Sequence, residues 1–499
     1  MALESPATSE SVADDVTRVR LVRGGGIVFE ASGFRVIQPR GLKRSPLQPY
    51  ESVGHIHAAP RMLFIGTADS LAVIRRADFI DREAGPETAR RIMLDQIGAR
   101  PGGEVQLREI EAVERLGERD GPAWAVWITA ALCLLGTALQ IANPMVEQVG
   151  AFLPELFSRG EFWRAITAHF IHAPGALPGP LRPLLPMVDV VPVHLALNVA
   201  GMLVLGHLVE RPLGAFNTAI VLTLSGIGSM VGIVIAGHVN VVGASGLVAG
   251  LAGAMLAMEL HYPRALPSFW RLPRRLFIGV ILIQFVVIDQ LFASVLAGGA
   301  HLGGFAGGYV AAWLIGRPGL EGLTPAPSQI FAAGCIGMLL VVGFFGAWPL
   351  ARSDMAALER HAVRLLDSSG SVYLYPHDNA AAWLIATEGG ASHQGLDLAV
   401  ALADRAVTNT GRMQPDLLDT LAEALFQRGD RLGAVLTIEE AIRLQPWEPY
   451  FFEQRRRFVG ERDPDDRPPP PGSEPWSEIP YDELFEPLPI GVDAPRVTI

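Results

Sequence analysis

Apolar residues follow two regimes along this chain. Between about residues 16 and 79 they alternate with polar ones in short runs, Val16 to Val22, Ile27 to Glu30, Phe34 to Ile37 and Met62 to Ile65, separated by Gly, Pro and Ser. Alternation of period two bounded by turn residues predicts an antiparallel sheet. A helix is predicted from Pro86 to about Ile97, with proline at a suitable first position and Ala89, Ile92, Met93 and Ile97 along one face. Beyond Pro122 the apolar runs become continuous, and each approaches the roughly 20 helical residues that cross about 30 Å of hydrocarbon. They run from Pro122 to Ala142, Pro192 to Val209, Pro212 to Gly237, Val241 to Leu260, Leu276 to Leu296, Gly298 to Ile315 and Gln329 to Leu350, which predicts seven spans. After them Trp383, Ala399, Ala403 and Ala406 recur 35 positions later as Leu418, Ala434, Ile438 and Ala441. Leu421, Ala422, Leu425 and Pro446 complete the second unit of this helical repeat.

Composition locates these regimes. Of 499 residues 50% are hydrophobic and 18% charged, an apolar excess that the spans absorb. The chain from about Arg462, with Arg467 followed by four prolines, is too polar to bury a core of its own and predicts a disordered acidic tail. A net charge of -11 disfavours nucleic acid as a partner. Cys133 and Cys335 both fall inside apolar spans, as packing or lipid-facing residues rather than a disulfide framework. The first fifteen residues hold acids and no apolar run, so no cleavable signal peptide is expected and insertion begins near Trp124. Arg211, Arg264, Arg271, Arg274, Arg275 and Arg317 sit in alternate loops, whereas 237–240 and 293–299 carry neither Lys nor Arg. The positive-inside rule makes the arginine loops cytoplasmic, with the amino-terminal domain inside and the carboxyl end outside a cell membrane.

The polar residues within the spans carry the chemistry. Gly243-Ala-Ser-Gly246 opens the fourth span, where a helix amino terminus brings positive dipole character to the place where an oxyanion would form. Small residues also form ordinary packing faces, so this motif by itself leaves both readings open. Ala300-His-Leu-Gly-Gly304 opens the sixth span, and Gly304 with Gly308 makes a Gly-xxx-Gly face one turn beyond His301. His194 and Asn198, four apart at the start of the second span, share one helix face. Spans two, four and six all start on the outer side, which places His194, Ser245 and His301 at one depth, roughly 5 to 10 Å below the boundary at about 1.5 Å per residue.

These motifs together resemble the signature set of rhomboid proteases. The run Gly160-Glu-Phe-Trp-Arg164 through His169 to His172 is similar to the loop motif preceding the second rhomboid helix, and Gly206-xxx-Glu210-Arg211 to its inner end. The resemblance covers about Ala123 to Leu350. It implies an intramembrane serine endopeptidase without cofactor or metal, in which Ser245 is the nucleophile and His301 the base. The Ser245 amide, His194 and Asn198 would form the oxyanion hole, Gly243, Gly246 and Gly304 would permit close packing, and Trp163 and Arg164 would build the outer loop. No acid is expected near His301, so a dyad is implied. Substrates would be transmembrane proteins cut in or near their helices in the lipid bilayer.

The fold class expected is mainly α: a polytopic membrane bundle between two soluble regions. Residues 1–115 form a small β-rich cytoplasmic domain that resembles a pleckstrin-homology barrel, 122–316 a six-helix core and 329–350 a seventh membrane helix. Residues 355–460 form helical repeats resembling tetratricopeptide repeats, which would bind protein partners, and 461–499 the tail. Two departures from the family pattern stand out. Many rhomboids carry an aromatic four positions after the serine, where this chain has Ala249, so something else must hold the imidazole. A Pro- and Leu-rich insertion from Ala173 to Val193, containing Asp189, separates His172 from His194. The competing readings are a catalytically silent rhomboid-like protein that binds membrane helices and a transporter, whose polar residues would lie near midplane. A metalloprotease lacks its His-Glu-x-x-His motif, and His169 with His172 makes no zinc set.

Overall fold

The computed structural model describes residues 10–12, 16–38, 45–118, 121–143, 145–172, 193–291, 297–321, 326–368 and 374–469. The insertion that begins at Ala173 and the tail beyond residue 469 lie outside the described residues.

Two antiparallel meanders open the chain. Strands β1 (Glu10–Val12), β2 (Val16–Arg20), β3 (Gly26–Glu30) and β4 (Gly33–Ile37) pair in sequence order, as do β5 (Val53–Ala58), β6 (Met62–Thr67) and β7 (Leu71–Arg75). Alternation drives the core, since Ile27, Phe29, Phe34 and Val36 point inward from β3 and β4, and Ile56, Leu63 and Ile65 from β5 and β6. Helix α1 (Gly85–Gly98) closes it with Ala89, Met93 and Ile97. A second helix, α2 (Gly103–Gly117), was not expected; it packs Ile110 into the same core. β5 also escapes the alternation pattern, because it contains Gly54, His55 and His57, residues that look polar or turn-forming, yet His55 is buried.

Helices stand at all seven expected spans. α3 (Trp124–Ala142), α7 (Val193–Ala236) and α12 (Pro327–Ala351) are long and apolar enough to cross a membrane. The 44-residue α7 breaks at Gly214, whose φ of 77° follows the missing amide of Pro212, and so supplies spans two and three. α8 (Ser245–His261) is the fourth span. The fifth begins as α9 (Arg274–Leu282), widens into a π-helical turn over Ile283–Ile288 and ends as α10 (Asp289–Leu291). α11 (Gly298–Glu321) is the sixth. Three short helices, α4 (Met145–Gly150), α5 (Pro154–Ser158) and α6 (Arg164–Thr167), form the loop between the first two spans. Cys133 is buried and Cys335 exposed on α12, in keeping with packing and lipid-facing roles.

Polar anchors sit where the spans end. Glu210 Oε1 and Oε2 accept from Ala125 N and Val126 N at 3.0 and 2.9 Å, satisfying amides that the first turn of α3 leaves unpaired. The β-rich domain is tied to the loop after α8, where Arg274 Nη2 donates to Ala68 O at 2.8 Å and Ser268 meets His55.

Residues 352–499 form a separate compact unit. Its described helices are α13 (Met355–Leu366), α14 (Tyr375–Thr387), α15 (His393–Asn409), α16 (Pro415–Arg428), α17 (Arg431–Leu444) and α18 (Pro449–Val459). The recurring Ala399, Ala403, Ala406, Leu418, Ala434, Ile438 and Ala441 are all buried, the alanines letting paired helices pack closely around Leu418 and Ile438. Asp354, Ser392 and Asp430 cap helices by accepting from the amides of Ala357, Gly395 and Gly433.

Candidate active site

Ser245 is the first residue of α8, and the turn before it is hung from the loop between α3 and α7. Gly243 N donates to Ala168 O at 2.8 Å and Ala244 N to His172 Nε2 at 3.4 Å. The latter amide can only donate, so His172 Nε2 accepts and Nδ1 carries the proton toward Thr137 Oγ1, 3.1 Å away. Gly243 has φ +119°, which a side chain rarely adopts, and a Cβ there would collide with the His194 ring. The loop itself is locked by Arg164, fully buried and bonded to Glu161 Oε2 at 2.6 Å and to the carbonyls of Gln148 and Ala151 at 2.9 and 2.8 Å. Trp163 Nε1 donates to Val149 O at 3.2 Å. Trp163 and Arg164 therefore bond within the loop, Arg164 from a fully buried position.

His301 lies in the first turn of α11, with Nε2 2.8 Å from Ser245 Oγ. This contact demands near backbone-to-backbone packing of α8 and α11. A Cβ on Gly304 would strike the carbonyl of Gly246, and one on Gly308 that of Gly250. Gly246 in turn faces Ser229 of α7. Beside the serine turn stand His194, half-buried, and Asn198, buried, whose Nδ2 makes no hydrogen bond to a described residue. The rings of His172 and His194 meet edge to face at 5.2 Å. Ser245, His301, His194, Asn198, Gly243, Gly246 and Gly304 are thus brought to one place, with a serine hydroxyl and an imidazole in contact at a helix amino terminus, while Trp163 and Arg164 lie in the loop that holds the serine turn.

One expectation fails. The sequence reading expects no acid near His301, yet Asp289 Oδ1 lies 2.8 Å from His301 Nδ1. Asp289 is only 3% exposed, and Gln284 Nε2 donates to the same oxygen at 2.9 Å from five positions earlier, the spacing of the π-helical turn. Asp289 and Gln284 are the polar neighbours that motif spacing did not single out.

Among the described residues, His55, His57 and Glu114 offer atoms within 4.8 Å of one another, as a metal site would. Their chemistry does not fit one. The Ser268 amide donates to His55 Nδ1 at 3.0 Å, so the proton of the neutral ring sits on Nε2 and neither nitrogen has a lone pair to give. Glu114 is committed to Arg90 at 3.0 Å, and burial, with the charges of His57 and Arg90, pushes the His55 pKa down to about 3.

Residues 186–318 match the Rhomboid domain. The chain carries a rhomboid domain. Over 217 residues it is 26% identical to the rhomboid protease GluP of Bacillus subtilis (strain 168), a stretch covering 42% of this chain and 37% of that relative's length. No solved structure matches the chain. The rhomboid domain encloses His194, Asn198, Ser245, Asp289 and His301, while the loop that suspends the serine turn, with Trp163, Arg164 and His172, precedes the matched residues.

Proposed function

We propose that the chain is an intramembrane serine endopeptidase of rhomboid type, hydrolysing peptide bonds in or near transmembrane helices of membrane-protein substrates. The observation that carries this reading is the 2.8 Å contact between Ser245 Oγ and His301 Nε2 at the first residue of a membrane helix. Ser245 Oγ attacks the scissile carbonyl carbon while His301 Nε2 takes its proton, and the electron pair of the carbonyl moves to oxygen. The Ser245 amide at the α8 amino terminus, with Asn198 Nδ2 and His194, then donates to that oxyanion, where each such donor is worth about 100-fold to 1,000-fold in turnover. His301 returns the proton to the leaving amine, and water releases the acyl chain by the reverse sequence.

The arginine loops support a cytoplasmic amino-terminal domain, and the crossing of α12 supports placing the tetratricopeptide-like repeats, with whatever protein partners they bind, outside. The pleckstrin-homology likeness of the first domain rests on its strand pattern. The alternative, a silent binder of membrane helices, does not account for a serine and a histidine held in hydrogen-bond contact.

The test is a transmembrane substrate incubated with the purified chain in bilayers, alongside labelling by a fluorophosphonate probe. Wild type should cleave and label, and Ser245→Ala should do neither. A folded wild type that does neither, or cleavage that survives Ser245→Ala, would overturn the reading.

A further inference from the structure

We infer that Asp289 is the positioning residue of this site, an intramembrane acid that fixes the tautomer of His301 and makes the working unit Ser–His–Asp. The inference rests on the protease reading above and adds a third member to it.

The argument begins with where Asp289 comes from. Its span is open to lipid along much of its length: Leu276, Val280, Leu282, Ile283, Val286, Val287 and Leu291 are all exposed. A carboxylate in such a segment is costly and is retained only where something answers it. The π-helical turn over Ile283–Ile288 widens the helix just before Asp289, and wide turns of this kind are common at functional sites. It brings the carboxylate in from the lipid side, to 2.8 Å from His301 Nδ1.

The consequence for the base is specific. An ionised carboxylate only accepts, so His301 Nδ1 must carry the ring proton and Nε2 presents its lone pair to the Ser245 hydroxyl. That is the tautomer a general base needs. When Oγ bonds to the substrate carbon and its proton passes to Nε2, His301 becomes an imidazolium, and Asp289, still ionised, lies against the new charge. Asp289 Oδ2 is buried with no hydrogen-bond partner among the described residues, so the carboxylate is not placed to satisfy itself. Ala249, one turn beyond Ser245, offers only a methyl group, and the ring is restrained instead by the hydrogen bond that His301 Nδ1 donates to Asp289.

Asp289→Asn, Asp289→Ala and Asp289→Glu separate this role from packing. Each purified variant is reconstituted beside wild type and Ser245→Ala. Fluorophosphonate labelling rates, kcat and KM on a transmembrane substrate, and thermal melting are then measured. Asn has the shape of Asp, but its amide nitrogen donates to Nδ1 and leaves a proton on Nε2 facing the serine. Asp289→Asn should therefore lose about 1,000-fold to 10,000-fold in kcat, with KM within threefold and a wild-type melting temperature. It should be slower than Asp289→Ala, while Asp289→Glu, which keeps the accepting charge, should be faster than both. A structural role predicts the opposite order, so Asp289→Asn within fivefold of wild type, or Asp289→Ala slower than Asp289→Asn, overturns the inference. Should Asp289→Asn fail to fold, Glu against Ala decides: tenfold faster turnover for Glu upholds the role and equal turnover removes it. A wild type that labels no faster than Ser245→Ala refutes the protease reading and this inference together, whereas wild-type labelling with indifferent Asp289 variants refutes this inference alone.

Discussion

Arg271 Nη2 lies 2.7 Å from Glu259 Oε1, both side chains are almost fully buried, and Arg271 Nη1 also donates to Thr67 O at 2.7 Å. One guanidinium thus joins the carboxyl-terminal end of the serine-bearing helix to the amino-terminal sheet. Removing one member of a buried pair strands the other charge, at a cost of about 3–5 kcal/mol, which the partly exposed Arg274, 3.7 Å from Glu259 Oε1, softens without cancelling. Arg271→Met should destabilise the membrane unit by that order, and the double variant Arg271→Met with Glu259→Leu by distinctly less. Denaturant unfolding in detergent measures both, and a double variant as unstable as the single one would refute the pairing argument.

Ser245→Ala and His301→Ala should each abolish cleavage while the protein stays folded and inserted. Asn198→Ala leaves the Ser245 amide and His194 in place, so it should slow turnover by about 100-fold to 1,000-fold rather than silence it. Single-turnover cleavage distinguishes the two classes. Loss as complete as that of Ser245→Ala would mark Asn198 as structural.

Hydropathy and spacing made the spans and the Ser245, His301, His194 and Asn198 set legible, because helix length and the four-residue repeat are local properties. Asp289 was not legible for a physical reason. Its direction depends on a turn that departs from the 3.6-residue pitch on which every face argument rests, and it lies inside the apolar run from Leu276 to Leu296 with no motif around it. Arg164 was legible as a loop residue but not as a buried one, since its partners Glu161, Gln148 and Ala151 become neighbours only when three short helices fold together. α2 was missed because Val105, Leu107, Ile110, Val113 and Leu116 are sparse among charges that suggest a solvated linker.

Burial holds the Asp419 carboxyl up to about 7, even though Tyr450 Oη and Gln454 Nε2 donate to it at 2.9 and 3.1 Å. The folded state therefore binds a proton that the unfolded chain, with an ordinary carboxyl near 3.9, has released. This group's contribution to stability is whole below about pH 4 and declines as pH rises toward 7. Melting of the carboxyl-terminal unit at pH 4.5 and 7.5 should show that decline in wild type and a smaller one in Asp419→Asn. An identical pH dependence in the two proteins would show that Asp419 does not titrate there.

The sidedness of the chain can be read with single cysteines at Ser392, Asp430 and Ser70, after Cys133 and Cys335 have been replaced. A membrane-impermeant thiol reagent applied to intact cells should label the first two and spare the third. The reverse pattern would invert the topology drawn from the arginine loops.

Asp289 owes its position to one extra residue of helical turn. Were the same six residues, Ile283–Ile288, wound at the ordinary helical pitch of about 100° per residue, Asp289 would swing round by roughly that angle, away from His301 Nδ1. Such a chain would keep its serine, its histidine, its glycines and its hydropathy profile, and would insert as before. It would still have lost its acid, so the site depends on the winding of six residues in which no motif is found as well as on every recognisable signature.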